Sequence, residues 1–203
     1  LERPVALAGE LEELPGLLAL RGERDLRFDA VVGRNALGRL PAKRAALQLL
    51  SGWLRTSGRI SLAETVVRHA QRLYDLVDLS SLSSELRQRL VEAEDKIYAE
   101  ASEPLVNWEA EDLKQAFEEV GFREVTIHVE DEAAEVLISA ATLDGWFSTE
   151  GDRDRPTYAQ HLLHQLSGDE LARVRALYED QLANRTAPWR TQIAFLSAMQ
   201  VSE

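Results

Sequence analysis

The chain has 203 residues, 45% of them hydrophobic, and this composition excludes intrinsic disorder and predicts a folded protein. Its net charge of −12 argues against direct binding to nucleic acid, because the chain as a whole repels phosphate groups. The absence of Cys excludes disulfides and thiolate metal sites and fits a cytoplasmic protein, and the apolar runs are too short to span a membrane.

The first part of the chain predicts alternating strands and helices. Short apolar runs predict strands at 4–8, 28–32 and 59–63, and helical spacing of apolar residues predicts a helix at 40–54. This strand-helix-strand arrangement is typical of a parallel sheet. Because the first residues already have the pattern of a strand, we expect the chain to be a piece of a longer protein.

The second part predicts helices at about 65–78, 84–100 and 109–120. The stretches "REVTIHVE" and "AEVLISA" then predict an antiparallel hairpin that closes the sheet. The stretch "GDRDRP" at 151–156 predicts a linker, and the remainder predicts helices only, the last one opened by Pro188. We therefore predict an α/β region at 1–150 and a helical C-terminal extension at 151–203.

Polar residues at the ends of two predicted strands are the candidates for chemistry. In open α/β sheets, ligands bind outside the carboxyl ends of the strands, where Gly33, Arg34 and Asn35 follow one strand. Glu64 ends the next strand and could orient a substrate or act as a base. The alternatives are that Gly33 eases a tight turn, that its polar neighbours are solvated, and that Glu64 is an acid favoured by a helix dipole.

Two histidines raise the question of a metal site. His161 and His164 lie three residues apart on a predicted helix, a spacing that allows both to bind one metal ion. The sequence fixes no third ligand near them, and an exposed helical face explains the pair better. We therefore predict no metal site.

The stretch "LRFDAVVGRNALGRLPAKRAALQLLSGWLRTSGRISLAET" resembles the second half of a class I S-adenosylmethionine-dependent methyltransferase, from strand four through a helix into strand five. The stretch "FEEVGFREVTI" resembles the helix end and strand six of that family, which precede an antiparallel strand seven. The resemblance covers about residues 4–140. It implies a partial Rossmann-like sheet that keeps strands three to seven of the family order 3-2-1-4-5-7-6.

The resemblance also implies half of a cofactor site. The stretch "VALAGELEELP" is similar to strand three and its following loop, usually G-D-x-x-x-L-P. Glu10 stands where the family has Asp and would contact the adenine amino group of S-adenosylmethionine, with Leu11 as apolar packing. Alternatively, Glu10 is a solvated loop carboxylate.

On the same resemblance, Gly33, Arg34 and Asn35 would line the methyl-transfer side, with Asn35 and Glu64 as the catalytic candidates. The glycine-rich loop after strand one and the acid that binds the ribose have no match in this chain. We therefore expect no cofactor binding by the chain alone and methyltransferase activity only in the full-length parent. The missing N-terminal part of the domain is the first expected partner.

A more specific resemblance rests on the stretches "ETVVRHAQRLYDLVDLSSL", "VNWEAEDL" and "QLANRTAPWRTQIAFLSA". Together they are similar to the methyltransferase-like region fused behind a replication-associated recombination AAA ATPase in cyanobacteria. The phosphate-loop motif of an ATPase is absent, so we assign no nucleotide hydrolysis. This resemblance implies a second hypothesis, in which a degenerate methyltransferase fold serves as a docking or assembly module of that ATPase.

The strand at 28–32 would lose its neighbour if strand one is missing. Bare edges of central strands are seldom left open, because their backbone groups pair readily with another chain. We expect the edge to be covered by residues 5–8, by the N-terminal segment, or by the same strand of a second molecule in a homodimer.

Overall fold

The computed structural model describes residues 5–151 and 156–201. Its strands form one mixed sheet in the order β1-β2-β4-β3, with β1 parallel to β2 and β4 antiparallel to β2. The strands are β1 (Phe28–Arg34), β2 (Leu54–Thr65), β3 (Arg123–Ile138) and β4 (Arg185–Met199). The predicted α/β class is confirmed. The order has the form of the expected 4-5-7-6 block, but the strand in the place of strand seven is β4 and not the predicted segment after residue 132.

Helices occupy most of the chain between the strands. They are α1 (Leu14–Leu20), α2 (Lys43–Trp53), α3 (Ser84–Ala99), α4 (Ala110–Val120), α5 (Ala140–Trp146), α6 (Tyr158–Leu162) and α7 (Gly168–Leu182). Short 3-10 helices lie at Leu11–Glu13, Val67–His69, Leu73–Leu76 and Leu79–Ser81. Within the described part of the chain, none of these helices is both long enough and apolar enough to cross a membrane.

Local signals explain where several helices begin and end. Ser167 caps α7 through a hydrogen bond from the Glu170 backbone amide, and the Glu170 side chain accepts from the Ser167 amide, so the two residues form a capping box. Gly121 ends α4 in the left-handed region, at φ 101°, where glycine carries no steric penalty. The helices predicted at 84–100 and 109–120 are confirmed as α3 and α4.

Three predicted elements are wrong. Of the strand predicted at 4–8, residues 5–8 are exposed and form no strand, and residue 4 lies outside the described residues. The predicted hairpin is the single strand β3, which continues through the acidic stretch Glu130–Glu132 without a turn. The helix predicted at 65–78 is replaced by two 3-10 turns separated by extended backbone.

The helix predicted to begin at Pro188 is also wrong, because the segment is strand β4. Pro188 lies in the exposed first half of that strand, and the second half alternates buried and more exposed residues. Ala194, Leu196 and Ala198 are buried, and they pair with the buried face of β2. The antiparallel strand next to β2 therefore comes from the end of the predicted extension and not from residues 132–138.

The described residues fall into two compact units. Unit 1 covers described residues up to 65, 108–130 and those from 193 onward, and unit 2 covers 66–107 and the described residues of 131–192. The linker predicted at 151–156 lies for the most part outside the described residues. The predicted division at residue 150 stays a prediction.

In unit 1, one face of the sheet is buried and the other is open. The buried face of β2 carries Ile60, Leu62 and Glu64, each with 3% exposure or less. On the opposite face, Val32 of β1 is 80% exposed and Phe195 of β4 is 38% exposed. Exposed on the same face are also Ala30, Arg34, Arg59 and Ser61.

Unit 2 has a core of its own, built from helices. Leu90 of α3, Leu162 of α6 and Val174 and Tyr178 of α7 are completely buried in one apolar cluster. Phe147 packs edge-on against the rings of Tyr158 and Tyr178, with centroids 5.6 and 5.4 Å away. The helices of unit 2 therefore pack around a cluster of aromatic residues.

Candidate functional site

The carboxyl ends of β1 and β2 meet in a small polar site that we call the β1–β2 corner, formed by Gly33–Gly38 with Glu64 and Thr65. Asn35 follows β1 directly with φ 51°, a left-handed conformation that Asn tolerates better than most residues. Its backbone amide donates to the carbonyl of Ala63 at 2.9 Å, and its Oδ1 accepts from the Thr65 amide at 2.9 Å. Asn35 thereby joins the ends of the two strands.

Glu64 is the buried acid of the corner. Its side chain has no exposure, and its Oε1 accepts hydrogen bonds from the amides of Ala36 at 2.8 Å and Leu37 at 3.1 Å. Its Oε2 accepts from the amide of Gly38 at 3.0 Å. The carboxylate thus holds the loop that leads from β1 towards α2. The same three amides are no longer available to bind a ligand.

Gly33 is required by close packing in the corner. A Cβ at this position would lie 2.9 Å from Leu62 Cδ2 and 3.1 Å from Ala36 Cβ, closer than ordinary contacts allow. The backbone of Gly33 does not have positive φ, so the reason for glycine is space and not conformation. This packing role differs from the alternative that Gly33 eases a tight turn, and the predicted ligand contact of Gly33 stays a prediction.

The outer surface of the corner presents hydrogen-bond donors. Arg34 and Asn35 are exposed, and the Asn35 Nδ2 group donates no hydrogen bond within the described residues. A guanidinium and an amide NH₂ donate hydrogen bonds and suit a carboxylate, carbonyl or phosphate oxygen of a ligand. The corner can therefore position an oxygen-bearing group, while its buried part serves the fold.

Glu10 and Leu11 lie at the start of the 3-10 helix Leu11–Glu13. The backbone amide of Glu10 donates to Glu13 Oε2 at 2.9 Å; Glu10 is exposed and Leu11 is half-buried. In the described residues, no hydrogen bond or ion pair joins either residue to the β1–β2 corner. The structure thus brings together Gly33, Asn35 and Glu64, and the predicted adenine contact of Glu10 stays a prediction.

A second polar cluster lies in unit 2, and the sequence reasoning missed it. Glu94 of α3 is completely buried and accepts from Tyr158 Oη at 2.6 Å, from the Tyr74 amide at 3.2 Å and from the Leu73 amide. Burial raises the pKa of Glu94 to about 7, although these hydrogen bonds oppose the shift. The available signal was its position four residues after the buried Leu90, on the apolar stripe of its helix.

The surroundings of His161, which include His164, lower the pKa of its imidazole. Partial burial lowers the pKa of His161, and the nearby His164 lowers it further. Among the residues that the structure describes, no group of three or more His, Cys, Asp or Glu side chains could hold a metal ion.

No family model and no curated protein sequence matches the chain. Solved structures that are similar to it include the YcgJ protein of Bacillus subtilis, which is 8% identical, with 95% of this chain and 79% of that chain covered and a TM-score of 0.41. A SAM-dependent methyltransferase of Archaeoglobus fulgidus is 17% identical, with coverage of 94% and 66% and a TM-score of 0.37.

A third similar structure is phosphoethanolamine N-methyltransferase 2 of Haemonchus contortus, solved with phosphomonomethylethanolamine and S-adenosylhomocysteine. It is 12% identical, with 86% of this chain and 34% of that chain covered and a TM-score of 0.36. The present chain spans about a third of the length of that enzyme. All three TM-scores lie below 0.5, and no conclusion about the activity of the chain follows from them.

Proposed function

We propose that this chain is the C-terminal part of an S-adenosylmethionine-dependent methyltransferase-like domain and is inactive alone. The observation that carries the proposal is the strand order β1-β2-β4-β3, with β1 and β2 parallel and β4 antiparallel to β2. This order and these directions agree with the 4-5-7-6 block implied by the sequence resemblance. The strand in the place of strand seven is β4, from a segment whose sequence pattern predicts a helix.

The open edge and open face of the sheet support the proposal that the domain is incomplete. Within residues 5–151 and 156–201, no strand pairs with the outer side of β1. Parallel sheets are normally covered on both faces, whereas Val32 and Phe195 are exposed on one face here. We propose that preceding strands of the parent protein pair with β1 and that their helices cover this face.

The cofactor would then bind between the missing part and this chain. S-adenosylmethionine supplies an electrophilic methyl group when it is bound. Glu10 and Leu11 are the proposed adenine contacts, and Arg34 and Asn35 offer exposed donors on the methyl-transfer side. Glu64 fits a positioning role better than that of a base, because both of its oxygens accept backbone amides.

Calorimetric titration of S-adenosylmethionine tests the proposal at two levels. The 203-residue chain alone should show no binding at micromolar concentration, and a micromolar Kd would contradict its assignment as an incomplete site.

In the parent polypeptide, Glu10→Ala should weaken binding by about 1 to 3 kcal/mol, since a buried amino group of adenine would lose its acceptor. Glu12→Ala is the matched control, because Glu12 is an exposed acid of the same 3-10 helix. Unchanged affinity on Glu10→Ala would leave Glu10 a solvated loop carboxylate.

The alternative proposal is a degenerate methyltransferase fold that acts as a docking or assembly module of an AAA ATPase in DNA replication or recombination. The use of Glu64 and of Asn35 Oδ1 for the backbone of the chain itself favours this alternative. The coding sequence ahead of Leu1 discriminates between the two. A glycine-rich loop followed about 20 residues later by an acidic residue favours the enzyme, and the loss of both favours the module.

A further inference from the structure

Glu94 connects separate elements of unit 2 through one buried carboxyl group. It lies on α3 and accepts the backbone amides of Leu73 and Tyr74, which begin the 3-10 helix Leu73–Leu76. It also accepts from the hydroxyl of Tyr158, the first residue of α6. Its side chain has no exposure to solvent, so these contacts are made without competition from water.

Arg72 acts electrostatically on this carboxyl, but its guanidinium is engaged elsewhere. The Arg72 guanidinium bonds to Asp95 at 3.2 Å and to the carbonyls of Ala70 at 2.7 Å and Arg68 at 3.1 Å, and it lies 3.7 Å from the ring centroid of Tyr98. In the described residues, no ion pair to Glu94 is formed. The ionised carboxylate would therefore be a buried charge without a directly bound counter-ion.

Acids and phenols lie on the elements that contribute to this cluster. Tyr74 and Asp75 belong to the 3-10 helix Leu73–Leu76, and Asp95 and Tyr98 belong to α3. Tyr158 belongs to α6 and Tyr178 to α7. Burial raises the pKa of Tyr74 and of Tyr98 to about 12, so these phenols stay neutral near pH 7. Burial also raises the pKa of Tyr158 and of Tyr178.

The two tyrosines on α6 and α7 allow the cluster to hold an extra proton. Tyr158 Oη and Tyr178 Oη are 3.4 Å apart, and either hydroxyl can donate to the other. When Glu94 is protonated, its own O–H can donate to Tyr158 Oη, whose hydrogen then turns to Tyr178. The neutral carboxyl keeps accepting the amides of the 3-10 helix, and both Glu94 and Tyr158 retain hydrogen-bond partners.

We propose that Glu94 is a pH-dependent latch, which fastens the Leu73–Leu76 helix and α6 to α3 while it is protonated and releases them more readily when it ionises. This inference does not depend on the proposed function, because none of these residues belongs to the β1–β2 corner.

The direction of the effect follows from burial. The ordinary carboxyl pKa is 4.5 and burial raises that of Glu94 to about 7. Below pH 4.5 the carboxyl is neutral in both the closed and the opened state, and the latch has its full strength. Between these two values the opened state loses its proton while the closed state keeps it, so closure weakens as pH rises. The equilibrium constant for opening should increase on the order of 100-fold between pH 4.5 and 7.5 and then level off.

Amide hydrogen exchange tests the latch. Protection factors of Leu73 and Tyr74, corrected for intrinsic exchange rates, should fall on the order of 100-fold from pH 5 to pH 7.5 in the unaltered chain. Glu94→Gln keeps the shape of the side chain and cannot ionise, so its protection should not change with pH. Glu92→Gln, an exposed position on the same helix, should behave as the unaltered chain does. An equal pH dependence in Glu94→Gln would overturn the proposal.

A second measurement needs no variant and decides the matter even if Glu94→Gln fails to fold. The carboxyl carbon of Glu94 in the labelled chain should titrate by NMR with a midpoint near 7, coupled to the protection of the Leu73 amide. A midpoint near the ordinary 4.5 would show that the folded chain does not favour the neutral form, and would overturn the proposal.

Discussion

Glu64 shows how one side chain can organise a strand end. Its carboxylate accepts the hydrogen bonds that the amides of Ala36, Leu37 and Gly38 would otherwise donate to water. Two of these amides belong to buried residues. A buried amide left without an acceptor costs about 1 to 3 kcal/mol. The main contribution of Glu64 is thus to stability and loop position.

We expect Glu64→Ala to lower the free energy of unfolding by about 3 kcal/mol, because three amides lose their acceptor and a cavity opens. Glu64→Gln should cost less, about 1.5 kcal/mol, since one oxygen still accepts while the new NH₂ group faces a donor. Urea unfolding measures both, with Glu118→Gln on the exposed side of α4 as the control. Equal stability of Glu64→Ala and the control would contradict the buried hydrogen-bond network.

Asn35 combines a left-handed backbone with a side-chain bond to Thr65, and substitutions separate the two contributions. Asn35→Gly removes only the side-chain bond and should cost about 1 kcal/mol, whereas Asn35→Ala also strains the backbone and should cost about 2 kcal/mol. Asn35→Asp keeps the acceptor and should be nearly neutral. Chemical denaturation gives the ranking, and a chain in which Ala is tolerated better than Gly would rule out the left-handed conformation.

The sequence predicted the residues of the β1–β2 corner but not what they do. Gly33, Asn35 and Glu64 could be placed together because the carboxyl ends of neighbouring parallel strands meet at one sheet edge. Their roles depend on contacts across the strands, such as that between Glu64 and Gly38, which no local pattern encodes. The same reason hides Glu94, whose partner Tyr158 is 64 residues away in the chain.

At the level of elements, helices were predicted better than strands. The bounds of α3 and α4 follow from apolar spacing and from Gly121, which are local signals. β4 was taken for a helix because Ile193 and Leu196 also fit helical spacing, and a short apolar run does not distinguish the two periods. The segment is a strand and not a helix because it pairs antiparallel with β2.

Strand β4 provides a paired test of the open and buried faces, because neighbouring residues point to opposite faces. Leu196 is 2% exposed, and Leu196→Ala should lower the free energy of unfolding by about 2 to 5 kcal/mol. Phe195 is 38% exposed, and Phe195→Ala should cost less than about 1 kcal/mol although it removes a larger side chain. Thermal or urea unfolding compares the two variants. If Phe195→Ala were the more damaging substitution, the assignment of the two faces would be wrong.

At the level of the whole molecule, one feature favours association with a second copy of the chain and another opposes it. The exposed edge of β1 offers unpaired backbone groups, and Val32 on that strand is 80% exposed, so a second copy could add to the sheet. The net charge of −12 repels a second copy, and this repulsion weakens when salt screens it. Residues 5–8, which were expected to cover the edge, do not pair with it. The homodimer through β1 stays a prediction.

We expect the chain to be mostly monomeric at low salt and to associate more at high salt, where the edge of β1 is no longer protected by charge repulsion. Val32→Lys should suppress this association, because a lysine on an edge strand must be desolvated when a second strand pairs with it. Leu20→Lys is the matched control: Leu20 is 87% exposed, but it lies at the end of α1 and not on a strand. Sedimentation velocity at both salt concentrations measures the effect. If the two lysine variants suppressed association equally, general apolar exposure and not strand pairing would be its cause.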